Sequence, residues 1–236
     1  MLRRARNAGF SVLVLTVDVP VGSRRERQTR GGLKQPPKLT GRLALQAAMC
    51  PAWLMGIRRT GKPRWKPLES YSKQTGPTAS NEHVGYLLRT SPDWSYLQAL
   101  RDEWDGHLIV KGVLDPRDCA ALKDAGADAI WISNHAGRQF AAAPATTEVL
   151  PAIRAATDLP LIIDSGYESG LDVIRAIALG ADFIMMGRPF HYGLGAMGAP
   201  GAAHVFDIIR QDMIANMGQI GAKTLSELSN CLFSKQ

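Results

Sequence analysis

Cysteine is nearly missing from this chain of 236 residues. The three that occur, Cys50, Cys119 and Cys231, lie far apart and form no CxxC pair. Such a set excludes a disulfide frame and points to a reducing compartment. Long apolar runs are missing as well. None reaches the roughly 18 residues that a membrane span requires. The opening stretch, Met1 to Pro20, imitates a secretory leader with its basic start and short apolar run. It contains Asp18 and Pro20 and lacks a small-residue cleavage site, so the leader reading is rejected. Acidic residues are scarce in the first third. Up to Lys73 there are sixteen Lys/Arg against three Asp/Glu, namely Asp18, Glu26 and Glu69. Beyond that point the balance is mildly acidic. The formal net charge of +7 therefore belongs to one segment and not to a nucleic-acid-binding face. Gly and Pro are too few for a low-complexity chain.

Five short apolar runs are present: "SVLVLTVD" (11–18), "HLIVKGV" (107–113), "AIWISN" (129–134), "PLIIDSG" (160–166) and "DFIMMGR" (182–188). Each is too short for a helix, rich in β-branched residues and bounded by turn residues. They read as strands buried on both faces. Helical stretches separate them. Residues 115–127 carry Asp115 as an N-cap, Pro116 at the first helical position and Gly126 as the stop. Residues 146–157 and 169–181 follow the same logic. Alternation of strand and helix predicts a parallel sheet in an α/β fold. "AGADAIWIS" and "LGADFIMMG" form a weak internal repeat, which favours a (β/α)8 TIM barrel over a doubly wound open sheet. Residues 30–92 break the rhythm with seven prolines and no clear strand. They read as a long insertion after the first strand within a single domain spanning 1–236. Its segment "GRLALQAAMCPAWLMGIRR", apolar in the middle and basic at the ends, suits a membrane surface, a cover over an active site, or a solvated loop with one helix packed on the core.

In a barrel the active site lies at the C-terminal ends of the strands. The polar residues expected there form one set. The first strand ends in Thr16 and Asp18, followed by Arg25. The second carries Lys111. The third ends in Ser133, Asn134 and His135, then Arg138. The fourth ends in Asp164, Ser165 and Gly166, and the last in Gly187 and Arg188. A lone histidine is more often structural than catalytic, but five strand ends bearing such groups point to a site. Arg25 and Arg138 can grip a carboxylate through bidentate forks. His135 can serve as a base, with Asp18 orienting its imidazole. Glycine-rich turns after the last two strands suit a phosphate. The set therefore asks for a phosphorylated cofactor beside a small acid.

"TVDVPVGSRRER", "VKGV", "SNHAGRQ", and "DSG" followed by "GRPFHYG" resemble the FMN-dependent α-hydroxy acid oxidases and dehydrogenases, from Leu2 nearly to Phe233. That group includes glycolate oxidase and the flavin-type lactate and mandelate dehydrogenases. The resemblance implies an oxidoreductase that converts a small 2-hydroxy acid to the 2-oxo acid with FMN. It implies His135 as the base, Asp18 as its partner, and Arg25 and Arg138 as the carboxylate grip. Lys111 matches the lysine beside the flavin ring. Thr16 and Ser133 match flavin contacts, while Asp164, Ser165, Gly166, Gly187 and Arg188 match the ribityl and phosphate site. The insertion resembles the family's loop over the active site.

The pattern departs from the family in places. Five strands are found where a barrel needs eight. The resemblance places about three further strands before Leu2, makes Met1 an internal start, and makes Leu2 to Gly9 the tail of the third barrel helix. An open sheet of five strands is expected to aggregate or to need a partner. The alternative to a working enzyme is thus a non-catalytic remnant or a half-barrel that needs another chain. Glu168 stands where the family has an arginine, so FMN affinity is expected to fall. Ala136 replaces a frequent glycine, and Ala141 a usual aspartate. The expected partners are a 2-hydroxy acid, a membrane surface met through the basic loop, and a second copy in a homo-oligomer. No nucleic acid and no metal are expected. The expected location is cytoplasmic, extending to the inner face of the membrane.

Overall fold

The computed structural model describes residues 1–21, 30, 40–61 and 91–233. The chain divides into two compact units, Met1–Asp18 with Pro92–Gln236, and Val19–Ser91. The expected substrate arginine Arg25 lies outside the described residues.

The larger unit is built on five parallel strands, β1 (Val12–Thr16), β2 (His107–Val113), β3 (Ala129–Ile132), β4 (Leu161–Ile163) and β5 (Phe183–Ile184), in the order β1-β2-β3-β4-β5. All four neighbouring pairs run parallel. The sheet order never reverses, as a doubly wound sheet would require. It is the order of a barrel wall, as the repeat predicted. The helices of this unit are α1 (Leu2–Asn7), α4 (Trp94–Glu103), α5 (Asp118–Asp124), α6 (Thr146–Ala156), α7 (Gly170–Ala178), α8 (Arg188–Met197) and α9 (Ala199–Ile220). The described part of the smaller unit holds α2 (Gly41–Ala48) and α3 (Pro51–Thr60). They are two helices and not one, because Pro51 restarts the chain at the first helical position. Among the described residues no helix is long and apolar enough to cross a membrane.

One face of the sheet makes the core. Leu108, Val110, Ile130, Ile132, Leu161 and Ile163 are buried against Leu122, Leu150 and Ile153 of the covering helices. Each such side chain contributes roughly 1.5–3 kcal/mol. The opposite face corrects the expectation of strands buried on both sides. Val14 is 40% exposed and Phe183 59%. Burial in β1 alternates residue by residue, as in a strand with one covered face. The physical reason is that five described strands form a wall without strands opposite to fill the lumen.

The strands are shorter than the apolar runs because their polar ends leave the ladder. Ser165 and Gly166 take φ values of 78° and 108° after β4, and His135 takes 55° after β3. The helix expected from residue 115 starts at Asp118 instead. Asp115 spends its side chain on the Arg117 N–H (2.9 Å) and guanidinium (2.5 Å), making a turn before the helix. Those bonds lower its carboxyl to about 2.

Candidate active site

The site forms where the strands end. Lys111, near the end of β2, points to the lumen face, two residues beyond Ile109. A register shift between Lys111 and Val113 then returns Val113 to the core. Gly112 makes that shift with φ 108°, and a Cβ there would lie 2.6 Å from the Asp18 Cβ. Only glycine lets the end of β1 pass so close to β2.

Asp18, Lys111, Ser133, His135 and Asp164 come together as the sequence predicts. Lys111 Nζ donates to Ser133 Oγ at 2.7 Å and lies 3.5 Å from both Asp18 Oδ2 and Asp164 Oδ2. All three charged side chains are largely buried. His135 Nδ1 is 3.1 Å from Asp18 Oδ1. Burial alone would raise the Asp18 carboxyl. The His135 hydrogen bond and the Lys111 charge outweigh it and hold the group below its ordinary value. An ionised Asp18 selects the tautomer with the proton on Nδ1, which leaves Nε2 to accept one.

Backbone strain fixes the histidine. His135, Ala136 and Gly137 have φ of 55°, 55° and 67°, three left-handed residues in succession. Each non-glycine residue there costs about 1–2 kcal/mol. Side chains hold the turn. The His135 N–H donates to Ser133 Oγ (3.1 Å), the Ala136 N–H to Ser165 Oγ (2.9 Å) and the Gly137 N–H to Asn134 Oδ1 (3.2 Å). Ser165 Oγ in turn donates to Asp164 Oδ1 at 2.6 Å. The ends of β3 and β4 are thereby tied into one network.

A cleft of about 410 Å³ runs beside this network, lined by Lys111, His135, Arg138, Gly166, Gly187 and Arg188 among others. Arg188 opens α8, and its Nη2 lies 3.3 Å from Glu168 Oε1. Thr16 stands exposed at the end of β1, in register with Lys111 and apart from the cleft lining. Two residues were missed by sequence reasoning. Trp131 lines the cleft under Lys111, whose Nζ is 5.3 Å from its ring centre. Its lumen-facing parity in β3 was a usable signal. Thr146 is buried and donates to the Asp164 carbonyl at 2.8 Å. The sequence pattern puts it at the cap position of the helix from 146, whereas Ala145 is the cap and Thr146 the first helical residue, which frees its hydroxyl for the end of β4.

Parallel strands in barrel order, with a lysine, a histidine–aspartate pair and paired glycine turns on one rim, define the class to which comparison then gives a name. The family model of FMN-dependent dehydrogenases matches residues 1–235. An L-lactate dehydrogenase of Serratia proteamaculans is 41% identical over 234 residues, covering 97% of this chain and 61% of that protein. One of Acinetobacter baumannii is 39% identical over 238 residues, with 98% and 61% covered. Among solved structures, the monotopic membrane protein (S)-mandelate dehydrogenase superposes with a TM-score of 0.89 at 34% identity, covering 97% of this chain and 61% of that one. This chain belongs to the FMN-dependent dehydrogenase family. It spans about 61% of the length of the curated relatives it matches.

The residues present fit a flavin at the ring and ribityl end. Lys111 supplies a cation, and Asp164 and Ser165 supply polar groups along the cleft. Trp131 keeps a buried Nε1 without a partner among the described residues, a donor whose unmade bond costs about 1–3 kcal/mol. The other end is less suited, because its arginine is paired with a carboxylate.

Proposed function

We propose that this chain carries the proton-transfer side of a site that oxidises a small 2-hydroxy acid to the 2-oxo acid with FMN. The carrying observation is the bond of 3.1 Å between His135 Nδ1 and Asp18 Oδ1 at the rim of a cleft containing Lys111 and Arg138. Arg138 binds the substrate carboxylate, with Arg25 as its second contact. His135 Nε2 takes a proton from the substrate, and the ionised Asp18 stabilises the imidazolium that results. Bound FMN supplies the two-electron acceptor. Lys111 places positive charge at the ring end and Ser133 orients its ammonium. Thr16 lies on the same rim as a further contact, while Asp164, Ser165, Gly166, Gly187 and Arg188 hold the ribityl chain and its end. By resemblance alone, residues 30–92 are assigned as the family's active-site loop within one domain, and their basic character suits the peripheral membrane contact expected from the sequence.

A second reading, a half-barrel completed by further polypeptide, is favoured by the bare lumen face of the sheet. The two readings separate on mixing FMN-reconstituted protein with lactate, mandelate or glycolate without oxygen and following loss of the visible flavin colour. Bleaching supports the enzyme reading. His135→Gln is then expected to slow it by about 10² to 10⁴-fold. An unchanged rate removes His135 from its role, and no bleaching with any of the three acids favours the half-barrel.

A further inference from the structure

The end of the cleft built on Gly166, Gly187 and Arg188 carries less free positive charge than its sequence suggests. Arg188 Nη2 lies 3.3 Å from Glu168 Oε1, and both side chains are half exposed. Backbone donors beside them are engaged too. Asp172 Oδ2 accepts from the N–H groups of Glu168 and Ser169, each at 3.0 Å, and from Ser169 Oγ at 2.8 Å. The Leu171 N–H donates to Asp212 Oδ2 at 3.0 Å. The N-terminus of α7, an ordinary place for a phosphate, is thus already served by two carboxylates. A third holds Arg188. An arriving phosphate must displace Glu168 from Arg188 and then remain beside it. A neutral hydroxyl does neither, and a carboxylate is a good acceptor for it.

We propose that Glu168 is a specificity-determining residue that sets this site against phosphate, so that the chain distinguishes little between FMN and riboflavin. The two ligands share ring and ribityl chain and differ only at the terminal group. The inference rests on the flavin-dependent reading above and deepens it. Glu168 works by occupying Arg188 and by its own charge, without touching the reacting atoms.

Titration by quenching of flavin fluorescence, with FMN and with riboflavin, reads the ratio directly for the unaltered chain, Glu168→Gln and Glu168→Arg. In the unaltered chain the two dissociation constants are expected within about tenfold of each other. Glu168→Gln moves the ratio about tenfold toward FMN and Glu168→Arg moves it further, with riboflavin affinity unchanged. The gain shrinks as salt is added. An unaltered chain that prefers FMN by about a thousandfold overturns the proposal and leaves the flavoprotein reading standing. A ratio indifferent to both substitutions does the same. Flavin bound by none of the three proteins overturns both.

Discussion

Ala136 bears the strain of the turn that presents the histidine. Its φ of 55° is a conformation that a Cβ opposes and glycine tolerates. Ala136→Gly is therefore expected to stabilise the chain by about 1 kcal/mol. For a chain of this size that raises the midpoint of thermal unfolding by about 2–4 °C, measurable by circular dichroism. A lower midpoint would show that the turn is not strained at this position. The partners of His135 were legible in the sequence because each falls at the end of an apolar run, where a parallel sheet gathers its polar residues. Trp131 was not singled out, since an aromatic residue inside a strand reads first as core. The Glu168–Arg188 pair was half legible. Glu168 was seen as an acid in the wrong place, but only the fold brings it to Arg188, twenty residues further on.

Elements show the same division. Helix α7 announced its start through Ser169, and the structure confirms that cap: Ser169 Oγ accepts from the Asp172 N–H at 3.1 Å, while Asp172 answers with bonds to two backbone N–H groups. Burial alone would raise the Asp172 carboxyl. Its bonds to the Glu168 N–H and to Ser169 outweigh that and lower it from 3.8. The sign follows from linkage. The stabilisation is complete above the unfolded value of 3.8 and is lost as pH falls through the lower folded value. Asp172→Asn is expected to cost about 1 kcal/mol at neutral pH. In urea unfolding the difference should shrink below pH 3.8. A cost that persists undiminished in acid would mean that charge plays no part in the cap. Helix α5 was misread at its start. Asp115 has a nearer claim on its side chain, the N–H two residues on, and a local bond of that kind leaves no composition signal to separate it from a cap.

At the scale of the molecule, the lumen face sets behaviour in solution. Val14 and Phe183 project from the side of the sheet away from the helices. Both edges, β1 and β5, lack a further strand among the described residues. Such a surface associates with itself. Val14→Ser combined with Phe183→Ser is expected to lower light scattering by the isolated chain at a given concentration and to leave its circular dichroism unchanged. Scattering that does not fall would place the association elsewhere. The barrel wall itself was legible because strand and helix signals alternate. The exposure of its inner side was legible only from the strand count, five where a barrel needs eight, since strands of a closed barrel and of an open wall carry the same apolar runs.

The sheet also has an order in time. Its strands stand side by side in the sequence in which they are made. Only the first pairing waits, because β2 begins at His107, long after β1 ends at Thr16. From there each new strand joins the one just completed, and closing a short loop costs little entropy. A chain growing from its N-terminus therefore lays down Asp18, then Lys111, then Ser133 and His135, then Asp164, and Arg188 last. The network that joins Asp18, Lys111, Ser133, His135 and Asp164 has all its members in hand while Arg188 has yet to be synthesised.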